Sequence, residues 1–254
     1  MEFTLISSNM FLLPQPISVD NKKRIKLFTD LCLVYKPHFV LLQEVWLNNL
    51  VSLIKIQLDG YYFIGKSDLL YNKTGLMMFS KYKPLNYMKR SFSRESGSAL
   101  YDSLAQKGYI YAQFLINNTK VSVLNVHLNC PYRQGQKTAW ENQLKTIDNL
   151  ISGEDNALIV AGDFNGSCDR LLKNSSPINN MNSGIKSFSL ANLYRNRGFH
   201  KFTKRFLRTE IDESDLDIDH VLLFTKNIKS KITKRFILEP QISDHYPIFA
   251  EISY

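Results

Sequence analysis

The sequence predicts one α/β domain in which two β-sheets are covered by helices. Most apolar runs are short and are separated by turns containing Gly, Pro, Asn or Asp, which is typical of strands. Only two segments have the clear apolar spacing of a helix. No internal repeat, low-complexity tract or linker-like change of composition divides residues 1–254. Many strands and few helices favour two sheets with helices outside over one doubly wound parallel sheet.

The first helix is predicted shortly after the first strand. The strand covers residues 3–8 and ends at Asn9. After a loop that contains prolines, Asp20 is placed to cap a helix, and Pro37 breaks that helix. The apolar positions with helical spacing are Ile25, Phe28, Cys32 and Tyr35.

Further strands are predicted before the second helix. Their ranges are 39–42, 61–64, 75–80, 108–116 and 121–126. The first of these is a buried run, and it delivers Gln43 and Glu44 at its end. Asn117-Asn118 is predicted to form the hairpin turn between the last two.

The second helix is predicted over residues 137–151. Its apolar face consists of Trp140, Leu144, Ile147 and Ile151. The strand at 156–161 then leads into Asp163. Residues 166–210 are rich in Asn, Ser, Lys and Arg and predict long loops with one short helix. The last strands are predicted over residues 216–224, 231–238 and 247–253.

The net charge favours an anionic partner. The chain has 32 Lys and Arg residues against 23 Asp and Glu residues, which gives +9. Nucleic acid, an anionic membrane surface and a phosphorylated substrate all suit this charge. The cysteines Cys32, Cys130 and Cys168 are odd in number and lack CxxC spacing. They argue against a zinc cluster or a disulfide framework, and one bridge stays open.

The sequence contains no membrane-spanning or targeting signal. No apolar run approaches the roughly 18 residues of a membrane-spanning helix, and the N-terminus lacks the basic start and long apolar centre of a signal peptide. We expect a soluble, monomeric protein with peripheral membrane contact. Its compartment is left open, with secretion after removal of a signal peptide as one alternative.

Polar residues suited to metal or phosphate chemistry follow the predicted buried strands. These residues are Asn9, Glu44, His127, Asn129, Asp163 and Asn165. Asp219 lies within the strand DLDIDHVLLF, and Asp244 and His245 directly precede the last strand. Because buried polar groups need partners, so many strand ends of this kind predict that the side chains converge on one site.

Each of these residues also has a purely structural alternative. Glu44 suits a hard divalent cation together with the carboxamide of Asn9, but it can also cap the next segment. His127 can be a core histidine with satisfied hydrogen bonds. His245 can act as a general base or belong to a turn before a strand. The segment LIVAGDFN can likewise end in an ordinary turn.

The acidic run ESDLDIDH does not form a calcium-binding loop. His220 stands where such a loop has glycine, and Lys226 stands where it has its last carboxylate. Alternation along a strand instead puts Asp215, Asp217 and Asp219 on one face. Asp219 is the functional candidate, because it lies nearest the apolar part of the strand.

Basic clusters are expected on the solvated surface, including the one at residues 22–24. Residues 200–208, HKFTKRFLR, are an exception because phenylalanines are interleaved with basic residues. This pattern suits a membrane interface or nucleic acid.

In this order, the segments resemble the endonuclease/exonuclease/phosphatase superfamily of metal-dependent phosphoesterases. The matching segments are SNMFLLP, LLQEVW, GLMMFSK, LNVHLN, AGDFN, DIDHVL and SDHYPI, and they extend from Asn9 to Ile248. The resemblance implies a four-layer αββα sandwich of two mixed β-sheets flanked by helices (DNase I-like). It also implies a site at one edge of this sandwich.

Two features resemble the neutral sphingomyelinase branch of that superfamily. One is FLLP just after Asn9. The other is YDSLAQKGYIYAQF, which is similar to the D-x-L-A-x-K-G segment of the branch and puts Asp102, Lys107 and Gly108 at matching positions. The signatures of inositol-polyphosphate 5-phosphatases are absent. Nothing resembles the transmembrane regions of larger sphingomyelinases, so membrane access must come from surface residues or another protein.

The resemblance implies Mg²⁺-dependent cleavage of sphingomyelin to ceramide and phosphocholine, with Mn²⁺ or Co²⁺ as substitutes. The metal ligands would be Glu44, Asn9 and Asp244. His245 would take the proton of the attacking water while Asp219 orients its imidazole. The residues that contact the water, the phosphoryl group or its developing charge would be Asp163, Asn165, His127, Lys107 and Asp102.

Other functions fit parts of the same pattern. A Mg²⁺-dependent endonuclease or abasic-site nuclease is favoured by the positive charge, and the D-x-L-A-x-K-G segment argues against it. A phosphoinositide phosphatase would use the same scaffold. A non-catalytic lipid- or protein-binding module has no need for the complete set of metal and base residues.

Overall fold

The computed structural model describes residues 2–65, 71–92, 106–131, 136–179, 218–225 and 230–253. The strands in these ranges are β1 (Glu2–Leu12), β2 (Phe39–Val45), β3 (Tyr62–Ile64), β4 (Met77–Ser80), β5 (Asn86–Ser91), β6 (Gly108–Ile116), β7 (Thr119–His127), β8 (Ala157–Asp163), β9 (Asp219–Phe224), β10 (Lys231–Ile237) and β11 (Ile248–Ser253). The helices are α1 (Asn21–Tyr35), α2 (Asn48–Gln57), α3 (Lys137–Ser152), α4 (Cys168–Asn174) and α5 (Ser176–Asn179). No helix of this described part is long and apolar enough to cross a membrane.

The strands form two mixed sheets, as predicted. The first has the order β10-β11-β1-β2-β4-β3, and the second has the order β5-β6-β7-β8-β9. Within each sheet one central pair is parallel, β1 with β2 and β7 with β8, and the other neighbours are antiparallel. The carboxyl ends of a parallel pair meet at the same edge of a sheet. This geometry brings the predicted polar strand ends together.

The core has three apolar layers that correspond to the two sheets and their helices. Between the sheets, Phe39 of the first sheet packs against Phe114 of the second with ring centroids 5.1 Å apart. Helices α1 and α2 cover the outer face of the first sheet, and Phe28 of α1 is buried in this layer. The outer face of the second sheet is covered by α3 through residues that include Trp140. The predicted αββα order of layers is therefore confirmed.

A polar bridge joins the two sheets inside this apolar core. The amide nitrogen of Gln43 on β2 donates to Asn125 Oδ1 on β7 at 2.7 Å. Asn125 Nδ2 in turn donates to the carbonyls of Met77 at 2.9 Å and Leu42 at 3.1 Å. Gln43 and Asn125 are fully buried, and each lies close along its strand to a polar strand end. The bridge therefore fixes the spacing of the sheets just behind the edge where Glu44 and His127 lie.

Some local predictions were wrong. The first strand continues through Asn9 to Leu12, because β1 pairs with β2 up to Val45 across an irregularity in register. Asp20 does occupy the N-cap position of α1, but its φ is 54° and its side chain makes no capping hydrogen bond. The predicted hairpin turn at Asn117-Asn118 is confirmed, and both residues have positive φ.

Two elements were not predicted. Helix α2 starts at Asn48 without a side-chain cap, and its sequence NNLVSLIKIQ has no acidic residue in the first turn. Strand β5 is an edge strand whose side chains are mostly exposed, so it has no apolar alternation that would indicate a strand. The apolar residues Leu50, Val51 and Ile54 of α2 do have helical spacing, and only the signals for the start of the helix are missing.

We predict that Asn125→Ala will destabilise the fold by about 1–3 kcal/mol, because it removes the shortest hydrogen bond of the buried Gln43 amide and the bonds that two carbonyls accept from Asn125. Urea denaturation measures this free energy of unfolding. Asn86→Ala, in the exposed strand β5, is the matched control and should change it by no more than about 0.5 kcal/mol. Equal effects of the two substitutions would contradict a stabilising bridge.

Candidate active site

The predicted polar strand ends do converge at one edge of the sandwich. Asn9 Nδ2 donates to Asp163 Oδ2 at 2.9 Å and to Glu44 Oε1 at 3.3 Å, which links both sheets. His127 Nε2 lies 3.3 Å from Asp163 Oδ2 and 3.6 Å from Glu44 Oε1. Two clusters of possible metal-binding side chains result, and both contain Asp163. They are Glu44 with His127 and Asp163, and Asp163 with Asp219 and His245.

The backbone at this edge adopts conformations that are rare for side-chain-bearing residues. Phe11, Glu44 and Asn165 have φ values of 46°, 57° and 52°. Residues held in such conformations store strain and concentrate at functional sites. Gly162, at φ 140°, is required for a second reason, since a Cβ atom there would lie 2.1 Å from the carbonyl oxygen of Val126. The glycine of the AGDFN segment therefore permits the close packing of β8 on β7.

Lys107 belongs to the same edge. Its Nζ lies 2.6 Å from His127 Nε2 and 3.7 Å from Glu44 Oε1. Burial lowers the pKa of His127, and the charge of Lys107 lowers it further, which favours the neutral imidazole. Burial by itself raises the pKa of Glu44, but the charge of Lys107 and the hydrogen bond from Asn9 favour the carboxylate, and that pKa lies below its ordinary value. Glu44 is therefore ionised at neutral pH.

Asp163 is held ionised by the groups around it. Burial opposes the charge, but the hydrogen bond with His127 and the positive charges of His245 and Lys107 bring the pKa of Asp163 well below its ordinary value. Asn165 contributes from the neighbouring turn, where its backbone N–H donates to Asp163 Oδ1 at 2.8 Å. The Asn165 amide nitrogen donates to Leu128 O at 2.8 Å, so the side chain is oriented by the end of β7.

His245 and Asp219 form a buried pair. His245 Nδ1 lies 2.5 Å from Asp219 Oδ2, which leaves Nε2 as the ring nitrogen that can exchange a proton with a ligand. Burial lowers the pKa of His245, but the carboxylates of Asp219 and Asp244 outweigh it and raise that pKa well above its ordinary value. Burial raises the pKa of Asp219 to about 6. The neighbouring carboxylates therefore favour the protonated imidazole of His245.

The environment of Asp244 fits a bound cation. Its Oδ1 is buried and has no hydrogen-bond partner among the residues that the structure describes. Burial raises its pKa, and the nearby negative charges of Glu44 and Asp163 raise it further. A hard divalent cation would balance these charges, and Mg²⁺ prefers carboxylate and carbonyl oxygens. The donor set at this edge therefore fits a hard divalent cation.

Asn9 contacts the carboxylates through nitrogen. Its Oδ1 accepts a hydrogen bond from the backbone N–H of Phe11 at 3.1 Å, and its Nδ2 faces Glu44 and Asp163. In this arrangement Asn9 orients two carboxylates, and its oxygen is already used. Its predicted role as a metal ligand stays a prediction.

Some predicted residues are not placed at the site by a contact. Asn129 Nδ2 donates to Gln136 Oε1 at 2.8 Å, so its side chain has a local structural partner. Asp102, Asp215, Asp217 and the basic segment at 200–208 lie outside the described residues.

Arg24 and Ser243 support the site and were not predicted. Arg24, expected in a solvated basic cluster, is buried and donates to the carbonyls of Met10 at 2.8 Å and Ile242 at 3.3 Å. Arg24 lies four residues before Phe28, so both side chains are on the buried face of α1. This spacing indicated burial, but the run of basic residues favoured a solvated surface. Ser243 Oγ donates to Asn9 O at 2.5 Å and accepts from His245 N at 3.0 Å.

Two stacked sheets with carboxylates, histidines and a lysine at one edge provide groups that suit the hydrolysis of a phosphoester. Residues 7–245 match the model of the endonuclease/exonuclease/phosphatase family, and the chain belongs to this family. No curated protein sequence matches it. The family membership confirms the superfamily resemblance of the sequence motifs.

Solved structures of low sequence identity share the fold. D. rerio TDP2 complexed with single strand DNA product has 16% identity and a TM-score of 0.72, over 100% of this chain and 99% of that one. A Staphylococcus aureus beta toxin with bound magnesium ions has 17% identity and a TM-score of 0.67, over 98% and 99%. Sphingomyelinase C from Streptomyces griseocarneus has 15% identity and a TM-score of 0.67, over 99% of each chain.

We predict that Asp244→Asn will remove the stabilisation of the protein by Mg²⁺. At about 100 times the dissociation constant, Mg²⁺ should stabilise the unmodified protein by about 2.7 kcal/mol. In EDTA the variant should be at least as stable as the unmodified protein, because it relieves repulsion between buried carboxylates. Thermal denaturation with Mg²⁺ and with EDTA measures both effects.

Glu239→Gln is the control for this prediction, since Glu239 is exposed and lies in the same segment of the chain. It should retain the full effect of Mg²⁺. An undiminished effect of Mg²⁺ on the Asp244→Asn variant would exclude Asp244 from the metal site.

Proposed function

We propose that this protein is a Mg²⁺-dependent phosphodiesterase that cleaves sphingomyelin to ceramide and phosphocholine. The observation that supports the lipid substrate is the position of Lys107, whose Nζ lies 2.6 Å from His127 Nε2. Lys107 and Gly108 end the D-x-L-A-x-K-G segment on which the sphingomyelinase resemblance depends. Gly108 has a steric reason as well, because a Cβ atom there would lie 2.2 Å from the carbonyl oxygen of Arg90.

The carboxylates at the edge of the sheets would hold the metal. Glu44 and Asp244 would supply oxygen ligands, and Asn9 would orient Glu44 through its amide nitrogen. When bound, Mg²⁺ neutralises charge on the phosphoester and makes its phosphorus more electrophilic. Mn²⁺ or Co²⁺ would substitute, because carboxylate oxygens also bind these ions.

His245 would act as the general base. Its Nδ1 is occupied by Asp219 at 2.5 Å, so Nε2 would accept the proton of the attacking water. A cation at Asp244 would balance one of the carboxylates that raise the pKa of His245, and this would favour the neutral imidazole that a general base requires. Asp219 fixes the tautomer and stabilises the imidazolium that forms, as the carboxylate of a catalytic triad does. Asp163 is ionised and its charge is stabilised by that of His245. It would orient the attacking water.

The phosphoryl oxygens would be bound by Asn165, Lys107 and His127. Asn165 lies in the turn that follows Asp163, and Lys107 and His127 lie together at the carboxyl end of β7. These groups carry the N–H donors and the positive charge that stabilise the pentacoordinate transition state. Asp102 would act next to Lys107 in the same segment.

The cleaved substrate lies in a bilayer, so the protein would act as a peripheral protein at a phospholipid membrane surface. We propose that it does so as a monomer. A non-catalytic lipid-binding module is less well supported, because such a module would not require the buried His245–Asp219 pair.

A nuclease is the second candidate, and two observations favour it. The net charge is +9, which suits phosphate contacts along a nucleic acid. In addition, the TDP2 structure of the same fold was obtained with single strand DNA product. A phosphoinositide phosphatase would use the same edge chemistry.

We predict that His245→Ala will lower the rate of sphingomyelin hydrolysis by about 10²–10⁴-fold with the fold intact, because the general base is lost. Asp219→Asn should have a smaller or equal effect. The double variant should be about as slow as His245→Ala alone, since the two residues act as one unit. Turnover close to that of the unmodified protein would remove His245 from the mechanism.

Substrate class is tested by offering sphingomyelin, phosphatidylcholine, phosphoinositides and plasmid DNA in parallel, each with Mg²⁺ and with EDTA. We predict that Lys107→Met will lower the rate on sphingomyelin by about 10²-fold, because a charge at the phosphoryl group is lost. Lys120→Met, at the exposed far end of the β6–β7 hairpin, is the matched control. DNA nicking that equals or exceeds lipid cleavage would favour the nuclease.

A further inference from the structure

The loop between β1 and α1, residues 13–20, exposes apolar side chains at the catalytic edge. Ile17 is 38% exposed and Val19 is 50% exposed, and Pro14 and Pro16 are exposed beside them. Strand β1 ends at Leu12, three residues beyond Asn9, so the loop begins at the edge where the site lies. We refer to residues 13–20 as the apolar loop.

Direct contacts connect the apolar loop to the site. Leu13, the first residue of the loop, packs with Trp46 and Phe11 in a small apolar cluster. Trp46 follows the strand that carries Glu44, and Lys107 Nζ lies 5.8 Å from the centre of its ring. A substrate at Lys107 and Glu44 therefore lies close to the base of the loop.

The apolar loop is fixed in position by buried hydrogen bonds. Arg24 Nε donates to Val19 O at 3.0 Å, and the same guanidinium reaches the backbone at Met10 and Ile242. Ser18 is buried between its exposed neighbours, and its hydroxyl donates to Phe11 O at 2.8 Å. Because these bonds attach the loop to the strand that carries Asn9 and to the segment before Asp244, Ile17 and Val19 cannot turn inward without breaking them.

Lysine side chains lie immediately behind the exposed apolar residues. Lys22 and Lys23, in the first turn of α1, are both exposed. An apolar tip with lysines at its base is typical of segments that enter the interface of an anionic bilayer. A nucleic acid would require basic groups at the tip itself, where the apolar loop has prolines, isoleucine and valine.

We propose that the apolar loop docks the protein onto a phospholipid bilayer. Ile17 and Val19 enter the acyl boundary, and Lys22 and Lys23 contact anionic head groups. The network centred on Arg24 transmits this orientation to the site, so that the edge with Glu44 faces the membrane. The inference rests on the proposed lipid substrate, and it assigns the membrane contact to particular residues.

Sedimentation with sphingomyelin/phosphatidylcholine vesicles, with and without phosphatidylserine, tests the docking surface. The measurement is made in EDTA, so that no turnover is needed. The double variant Ile17→Asn/Val19→Asn should need at least about tenfold more lipid for half-maximal binding. Leu115→Asn is the matched control, because Leu115 is also 50% exposed but lies at the far end of β6. Lys22→Gln/Lys23→Gln should weaken binding only to vesicles that contain phosphatidylserine.

A second variant distinguishes loss of membrane binding from loss of folding. Ile17→Trp should bind vesicles at least as tightly as the unmodified protein, and its fluorescence should shift to shorter wavelength on binding. The fluorescence of the Leu115→Trp variant should shift no further on vesicle binding than that of the unmodified protein. Unchanged vesicle binding by the double asparagine variant, or an equal loss in Leu115→Asn, would overturn the proposal. Loop variants that weaken plasmid binding but not vesicle binding would overturn it in favour of nucleic acid.

The proposed docking surface and the proposed function can be disproved independently of each other. Hydrolysis is measured on detergent-dispersed sphingomyelin, in which the unmodified protein and the double variant should differ by no more than about twofold. A protein that binds vesicles through the loop but does not cleave the lipid contradicts only the proposed function. A protein that cleaves dispersed lipid but binds vesicles independently of the loop contradicts only the docking surface.

Discussion

The site depends on one buried charge, the carboxylate of Asp163. An ionised carboxylate in a protein interior is stable only if hydrogen bonds and opposite charges replace its hydration. Asn9 from the other sheet, His127 from the neighbouring strand and the backbone of Asn165 supply these partners. Because Asp163 belongs to both clusters of potential metal ligands, it also couples the Glu44 side of the site to His245.

The two-sheet architecture makes this arrangement possible. Asp163 and His127 end a parallel pair of strands in one sheet, and Glu44 ends the corresponding pair in the other. The bridge between Gln43 and Asn125 fixes the separation of the two pairs directly behind these residues. The groups at this edge do not by themselves distinguish a lipid from a nucleic acid, so the choice between these substrates depends on the surfaces around the edge.

Sequence reasoning succeeded where a local pattern carries the information. Buried strands that end in polar residues predicted the members of the site, and the order of the motifs predicted the family. It failed for Arg24, because a run of basic residues ordinarily indicates solvated surface, whereas packing of α1 buries this one side chain. Asp20 marked the start of α1 correctly, but the left-handed backbone of the loop directs its side chain away from the capping position.

The sequence by itself predicted most of the elements, the family and most of the residues that meet at the candidate site. These follow from the spacing of apolar residues and from polar groups that local burial would otherwise leave without partners. Only the tertiary structure decided that Asn9 faces the carboxylates through its nitrogen, that His245 faces Asp219 through Nδ1, and that Lys107 lies at His127. Such contacts join residues far apart in the chain, and they depend on strand pairing and sheet spacing that no single segment encodes.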